Sequence, residues 1–253
     1  MGIRAGCTAI AVAAAISAWL PAGEARAANG AYAVDAADIG EAASCKIESW
    51  LSAASNTDFS AVANPSCVVN LFQPVELSMN MNRARSDGEW SNTFSPKAKM
   101  NIAPTGIGRL GFSLYAGGAF DVLTGENLTA FAVVPATFRL GENTRLNFNG
   151  GWLWDRSVDR HYLLYGIGFD WKFTETLQWT IEAFGQAGQS DTPRVVQPRF
   201  QTGVRYRPNE IFSVDLIYGR NITGENANWI TLGTTIRFPV PDSRPEQHRT
   251  GHL

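Results

Sequence analysis

Alternation of apolar and polar residues recurs from residue 75 to residue 238, and it constrains the fold more than any other feature of the chain. In the clearest run, 90–102, Trp90 and Phe94 fall on one face while Lys97 and Lys99 fall on the other. Since successive side chains of a strand point to opposite faces, a period of two predicts strands with one apolar and one polar face. Ten such runs follow one another, and a less regular pair, about 45–54 and 58–69, precedes them. We therefore predict an all-β chain of twelve strands, or of ten if the first pair lies outside the sheet.

The alternation does not say by itself which face forms the core. A soluble sandwich buries its apolar face, whereas a membrane barrel turns that face to lipid and its polar face to a lumen. Links that alternate in length, Trp and Tyr residues near the ends of the apolar runs, runs of about 10–13 residues and an even strand count all favour the barrel. The expected fold is a closed antiparallel transmembrane β-barrel with short periplasmic turns and longer extracellular loops. A soluble periplasmic β-domain is the alternative.

The N-terminal residues read as a secretory signal peptide. Arg4 precedes an Ala-rich apolar stretch, Pro21 breaks that stretch, and Ala25-Arg26-Ala27 supplies a small-x-small cleavage pattern. An N-terminal anchor helix is the alternative. We predict a signal peptide at 1–27, a short periplasmic N-terminal segment at 28–44, a barrel at 45–238 and a polar C-terminal tail at 239–253.

Cleavage near Ala27 removes Cys7 and leaves two cysteines in a compartment that permits disulfides. If residues 45–67 form a hairpin that turns at 55–58, Cys45 and Cys67 lie directly opposite each other, close enough for a bridge. The alternatives are two free thiols or a metal site, and the second is disfavoured because no histidine lies nearby. A disulfide between Cys45 and Cys67 is therefore predicted, and no metal site.

The last run of alternation carries a family resemblance. Thr231, Gly233, Ile236 and Phe238 form the polar, glycine, apolar and aromatic pattern that resembles the terminal strand of Gram-negative outer-membrane β-barrel proteins. The resemblance implies an outer-membrane location, contact with outer-membrane lipid and recognition of this strand by the barrel-assembly machinery. Phe238 is followed by a tail, which departs from the family pattern. In architecture, residues 45–238 also resemble small uncharacterised barrels grouped with putative transporters of phenol-degradation pathways.

Charged residues concentrate on the polar face of the runs. Because Arg or Lys on the lipid face costs about 2–4 kcal/mol at the membrane midplane, these side chains are expected to face a lumen. The network either neutralises itself and fills a narrow barrel or lines a mildly cationic pore, and both alternatives stay open. The predicted pore-lining residues are Lys97, Lys99, Arg109, Asp121, Arg139, Arg145, Lys172, Glu182, Arg199, Arg205, Asp215 and Arg237.

Composition and motifs narrow the function. With 21 Lys and Arg against 23 Asp and Glu, the charge balance gives no argument for a nucleic-acid partner. The glycines 106, 108 and 111 match a dinucleotide fingerprint by spacing but open a strand, so they indicate a turn. His161 has Asp and Ser neighbours in a loop that is more typical of a solvated tip than of a catalytic site. We expect no enzyme activity, no catalytic residue and no cofactor.

The predicted function is a passive channel or uptake pore for small solutes with a mild anion preference. The alternative is a non-conducting structural or surface-interaction barrel with a side-chain-filled lumen.

Overall fold

The computed structural model describes residues 31–191 and 193–239, and twelve antiparallel strands account for most of them. Strands of eight to fifteen residues suit tilted segments that cross a membrane, which need about 9–11 residues. The strands are β1 (Ser44–Ala54), β2 (Phe59–Asn70), β3 (Pro74–Ser86), β4 (Glu89–Ala103), β5 (Leu110–Asp121), β6 (Asn127–Arg139), β7 (Thr144–Asp155), β8 (Arg160–Lys172), β9 (Leu177–Ala187), β10 (Arg199–Tyr206), β11 (Phe212–Asn221) and β12 (Asn228–Pro239). One short helix, α1 (Pro193–Val196), interrupts the link between β9 and β10. No helix among the described residues is long and apolar enough to span a membrane.

The sheet closes on itself. Each strand pairs with its neighbours in sequence, and β1 completes the circle by pairing with both β2 and β12. At Trp50 this double pairing sets Val62 on one side and Gly233 on the other. Closure leaves no unpaired edge among the twelve described strands, which is what a sheet in lipid requires. The prediction of a closed barrel with twelve strands, rather than ten, is confirmed.

The first hairpin pairs as its cysteines predict. Cys45 lies directly opposite Cys67, and the two are joined by a disulfide with a Cα–Cα distance of 4.1 Å. The bond lies at the end of the barrel where β1 begins, and it ties the strand that closes the sheet to its neighbour. The predicted disulfide is thus present, and the hairpin belongs to the barrel.

Side chains are sorted by face as in a membrane barrel. Leu51, Leu216 and Leu232 point outward, and more than half of each is exposed. Inward-pointing polar residues such as Thr137 and Gln201 are fully buried. This arrangement inverts the order of a water-soluble protein, in which apolar groups leave water and polar groups stay in it. The alternation seen in the sequence therefore separates an outward apolar face from an inward polar face.

Links at the two ends of the barrel differ less than the sequence suggests. At the terminal end, where β1 begins and β12 ends, the links are 71–73, 104–109, 140–143, 173–176 and 207–211. At the opposite end, here called the loop end, they are 55–58, 87–88, 122–126, 156–159, 188–198 and 222–227. The greater length at the loop end rests mainly on 188–198, while 87–88 is the shortest link of all.

The link 188–198 is anchored by one arginine at the loop end. The Arg194 guanidinium forms ion pairs with Asp58 at 3.0 Å, Asp87 at 2.5 Å and Glu225 at 2.6 Å. These carboxylates belong to or adjoin three other links, so Arg194 joins four links of the loop end. The backbone N–H of Glu225 also donates to the Gln197 side chain. The loop end is thus a connected surface rather than a set of independent hairpin tips.

Candidate functional site

The chain that precedes β1 lies inside the barrel. Residues 31–43, here called the lumenal segment, contact inward-facing side chains from β3 to β10. Val34 packs among Gly166, Gly168 and Phe184, and it is 5% exposed. The sequence predicts a periplasmic segment at 28–44, and the described part of that segment occupies the lumen. The predicted signal peptide lies outside the described residues, as does all of the predicted tail after Pro239.

Side chains of the wall bind the backbone of the lumenal segment. An extended chain without a sheet partner leaves its N–H and C=O groups unpaired, and a buried site must supply partners for them. The wall supplies both kinds, since carboxylate and hydroxyl oxygens accept from N–H groups while ammonium and amide groups donate to carbonyls. The bonds run from Ala33 N and Val34 N to Glu182, from Ala37 N to Thr137, from Lys99 to Ala36 O, from Asn101 to Ala37 O and from Gln201 to Ala31 O.

Asp35 places a negative charge beside the lysines of β4. Its carboxylate lies 3.7 Å from the Lys97 ammonium. Burial would raise the pKa of Asp35, but Lys97, Lys99 and Lys46 outweigh that effect and hold the pKa below its ordinary value. Asp35 therefore stays ionised at neutral pH and offsets part of the positive charge of the wall.

Asp38 does the same for two arginines nearer the terminal end. Its carboxylate pairs with Arg139 at 3.2 Å and with Arg145 at 3.4 Å, and it accepts a short hydrogen bond from Thr105. Arg145 has a second partner, because its Nε lies 2.6 Å from Asp170. Each of these ion-paired side chains except Asp170 is about one third exposed, so water partly screens the pairs.

Tyr32, near the N-terminal end of the lumenal segment, packs against the ion pair of Arg205 and Asp215 in the wall. The Arg205 guanidinium lies 5.0 Å from the centre of the Tyr32 ring, and it also donates to Asp215 at 2.7 and 3.1 Å. Burial raises the pKa of the Tyr32 hydroxyl, and the neighbouring Asp215 carboxylate adds to the effect. The Tyr32 hydroxyl therefore stays protonated and neutral. The ring covers Arg205, whose charge is already balanced by Asp215.

The space that the lumenal segment leaves forms a polar cavity of about 640 Å³. One part of its wall is made of amides and hydroxyls from β2 to β4, and another part carries charges. Its polar lining includes Asn64, Asn80, Asn82, Thr93, Ser95, Lys46, Glu48, Lys97 and Arg145. A cavity with this polar lining suits water and small polar solutes, because the amide, hydroxyl and charged side chains on its wall can exchange hydrogen bonds with them.

The predicted pore-lining residues divide into two groups. Seven meet in the lumen, either at the lumenal segment or in ion pairs of the wall: Lys97, Lys99, Arg139, Arg145, Glu182, Arg205 and Asp215. Five lie toward the barrel ends: Arg109, Asp121, Lys172, Arg199 and Arg237. Of these, Asp121 accepts from backbone N–H groups of the link 122–126, and Lys172 pairs with Glu175 of a turn. Arg199 donates to Arg194 O, and Arg237 to Ser213. A pore-lining role stays a prediction for all twelve.

The sequence did not reveal four charged residues of the lumen that lie in the lumenal segment or at the start of β1. Lys46 and Glu48 face the cavity, and Lys46 pairs with Glu48 at 3.3 Å and with Glu76 at 3.4 Å. Their signal was present, because they alternate with Cys45 and Ile47, but that pattern extends over few residues. Asp35 and Asp38 had no such signal, since the chain around them has no strand period.

His161 and Asp155 point to opposite faces of the sheet, and Asp159 accepts from Trp154 Nε1. The His161 ring stacks on the outward-facing Trp152 and Trp154, and its Nδ1 accepts from Trp152 Nε1 at 3.2 Å. Asp155 is buried and accepts from the Ser157 hydroxyl instead. The described residues hold no cluster of three or more His, Cys, Asp or Glu able to bind a metal ion. The geometry gives no support to a catalytic role for His161, and the absence of enzyme activity stays a prediction.

The residues of the predicted assembly signal divide between the two faces of β12, with the first two inward and the last two outward. Thr231 is buried and donates to Ser52, and Gly233 lies beside Trp50 and Asp215. Ile236 and Phe238 point outward, with 47% and 41% of each exposed. Their recognition by the barrel-assembly machinery stays a prediction.

These features define a closed twelve-strand β-barrel with an apolar outward face and an occupied polar lumen, and solved structures of outer-membrane barrels share the fold. The NanC porin matches with a TM-score of 0.60 at 8% identity, over 75% of this chain and 98% of that one. The COG4313 outer membrane channel from Pseudomonas putida F1 matches with a TM-score of 0.56 at 12% identity, over 87% of this chain and 100% of that one. No curated protein matches the sequence.

The family of the chain is shown by its own sequence. A family model described as Uncharacterised conserved protein UCP029691 matches residues 16–238, so the chain belongs to that family. This match covers the lumenal segment and the barrel up to Phe238. The resemblance to barrels grouped with phenol-degradation transporters is not confirmed by these likenesses.

Proposed function

We propose that the chain is an outer-membrane channel for small solutes and that the lumenal segment restricts its passage. The observation that carries this proposal is the polar cavity of about 640 Å³ beside the segment, within a closed barrel. The likeness to a porin and to an outer membrane channel supports the same class. Cleavage of the signal peptide near Ala27 and recognition of β12 by the assembly machinery would bring the barrel to the outer membrane.

A mild preference for anions is expected from the charges of the wall once the lumenal segment has left the lumen. Six cations and five carboxylates of the described wall lie at the segment or in wall ion pairs, so the wall by itself carries one net positive charge. Asp35 and Asp38 add two negative charges, which turns the balance of these residues to one net negative charge while the segment is docked. Glu41, the third carboxylate of the segment, is exposed and is not counted. The wall residues counted are Lys46, Lys97, Lys99, Arg139, Arg145 and Arg205 with Glu48, Glu76, Asp170, Glu182 and Asp215. Anion preference should therefore emerge when the segment leaves the lumen.

The alternative is a non-conducting barrel, and one observation favours it. The part of the lumenal segment before Ile39 is joined to the wall by six backbone bonds and by the ion pairs of Asp35 and Asp38. If this network never opens, the barrel is filled and its loop end becomes the functional surface. The two proposals differ in whether ions cross the folded protein.

Planar-bilayer recording distinguishes the channel from the non-conducting barrel. It compares the mature chain with a variant that begins at Ile39. The truncation removes the residues that make these bonds but keeps β1 and its disulfide. We expect small conductance steps from the mature chain, and larger, anion-selective steps from the truncated one. The reversal potential under a salt gradient measures the selectivity, which should fall as salt rises because screening shortens from about 10 Å at 0.1 M to about 3 Å at 1 M.

A full-length variant that carries Asp35→Asn and Asp38→Asn is the matched control, because it changes the charge without shortening the chain. Heat-dependent mobility on gels shows whether each variant is a closed barrel. Silence from both the mature and the truncated barrel would contradict the channel and support the filled barrel. Cation selectivity of the truncated barrel would contradict the charge argument alone.

Location and assembly have their own test. Mature protein should fractionate with outer membranes, and its gel mobility should shift on heating. Recovery in the soluble periplasm would contradict the outer-membrane proposal. A substitution of Phe238 by Ala should lower the amount of assembled barrel, with Ile211→Ala, an exposed residue of a turn, as its control.

A further inference from the structure

The outward face of the barrel carries charge at one end only. Among the described strand residues, the charged side chains on this face are three arginines, Arg83, Arg85 and Arg220, and no carboxylate accompanies them. All three lie within the last four residues of their strands, at the loop end. At the terminal end the described strand residues of the same face are uncharged. An arginine that faces lipid is favourable only where its guanidinium reaches the headgroup region. The outward face at the loop end therefore suits a membrane headgroup region whose negative charge can balance these arginines.

Two of these arginines form a compact group around one indole. The Arg83 and Arg85 guanidinium groups lie 4.7 and 5.6 Å from the centre of the Trp90 ring. Arg83 donates to the Asn92 side chain at 3.2 Å, and Arg85 donates to Thr57 O. These contacts fix both guanidinium groups while using one N–H of Arg83 and two of Arg85 within the described structure. Each guanidinium has five N–H groups, so both retain donors for an anion.

An apolar groove lies directly below this pair on the same face. It has a volume of about 640 Å³, and Arg83 and Asn92 form its upper edge. Small residues of β2 make its floor, and bulkier apolar residues of the neighbouring strands make its sides. The outward-facing lining includes Ala61, Ala63, Leu51, Met81 and Leu232. The groove therefore combines a surface for a hydrocarbon chain with the Arg83 guanidinium at its headgroup end. Arg85 lies outside the groove lining but shares the Trp90 ring with Arg83.

We propose that this groove with Arg83 and Arg85 binds a phosphate-bearing lipid of the membrane leaflet at the loop end. Guanidinium groups match phosphate through paired N–H···O bonds, and Trp90 suits the headgroup depth because its ring is apolar and its N–H is polar. The occupant follows from charge complementarity, since cations without carboxylates select an anion, and from the groove, which selects an acyl chain. The proposal rests on membrane placement and not on conduction. If the chain is an outer-membrane protein, the ligand is the phosphorylated glycolipid of the outer leaflet.

Native mass spectrometry of the purified barrel with added lipid tests this proposal. The probes are diphosphorylated lipid A and the same lipid without its phosphates, each added to the barrel in detergent. We expect the phosphorylated lipid to be retained preferentially. Replacement of both arginines (Arg83→Gln with Arg85→Gln) should weaken its binding about tenfold, which is the loss of about one charge-assisted hydrogen bond. The matched control is Arg156→Gln with Arg160→Gln, which removes the same charge from another part of the loop end.

A second variant keeps the charges and fills the groove. Ala61→Leu adds an apolar side chain to a lipid-facing floor, so the barrel should still fold while lipid binding weakens. Equal retention of the two lipids, or equal loss in the control variant, would overturn the proposal. Displacement of the lipid by inorganic phosphate at equal concentration would also overturn it, because the site would then bind a free anion and not a lipid. Since none of these readouts involves ion flow, a failed channel proposal leaves them unchanged.

Discussion

The substitution Asp38→Asn tests whether the lumenal segment controls the passage. It removes one negative charge at nearly constant volume and breaks the ion pairs with Arg139 and Arg145. Arg145 keeps Asp170 at 2.6 Å, whereas the described residues offer Arg139 no other ion pair. The segment therefore loses attraction to the wall, and Arg139 becomes available to ions in the passage.

The magnitude follows from the exposure of the groups. A hydrogen bond to a charged group is worth about 1.5–3 kcal/mol when buried, and an exposed ion pair about 0.2–1 kcal/mol. Asp38, Arg139 and Arg145 are 32%, 38% and 29% exposed, so the lower range applies to each pair. Loss of both pairs should cost about 1 kcal/mol of docking free energy, which raises the ratio of undocked to docked segments about fivefold.

Single-channel recording measures this ratio as the time spent at high conductance divided by the time spent at low conductance. We expect that ratio to rise about fivefold in Asp38→Asn, together with a shift of the reversal potential toward anions. Asp159→Asn is the control, because Asp159 lies in a link at the loop end and accepts from Trp154. An unchanged ratio in Asp38→Asn, alongside larger conductance in the truncated chain, would refute the assignment of docking strength to this carboxylate.

Three further changes probe other parts of the molecule. Replacement of Cys45 and Cys67 by Ser should lower the free energy of unfolding by about 3 kcal/mol, the loop-closure term for a 22-residue loop, as measured in denaturant against the oxidised protein. Arg194→Gln should loosen the loop end, so an added protease should cut within 188–198 faster, and unchanged cleavage would show that the three ion pairs do not hold this link. Gly166→Ala should displace the lumenal segment and raise conductance, because a Cβ there would lie 2.8 Å from Val34; Val34→Ala should reverse the effect, and failure to do so would place its origin elsewhere.

Much of the barrel was determined by local sequence. The side-chain period of a strand is two, so alternation assigns each residue to a face without knowledge of its partners. Lys97 and Lys99 are inward and Leu216 and Leu232 outward, as the pattern predicts. The hairpin register was also accessible, since two cysteines at equal distances from one turn face each other in an antiparallel pair.

The occupied lumen was decided by tertiary structure alone. Residues 31–43 have no period that marks them as strand or helix, and their partners are remote in sequence: Ala33 lies 149 positions from Glu182, and Ala31 lies 170 from Gln201. Such contacts exist only after the sheet closes and brings β4, β6, β9 and β10 around one space. Alternation determines which way a side chain points, but it carries no information about what fills the enclosed volume, because that depends on the sum of contacts from strands that the closed barrel assembles.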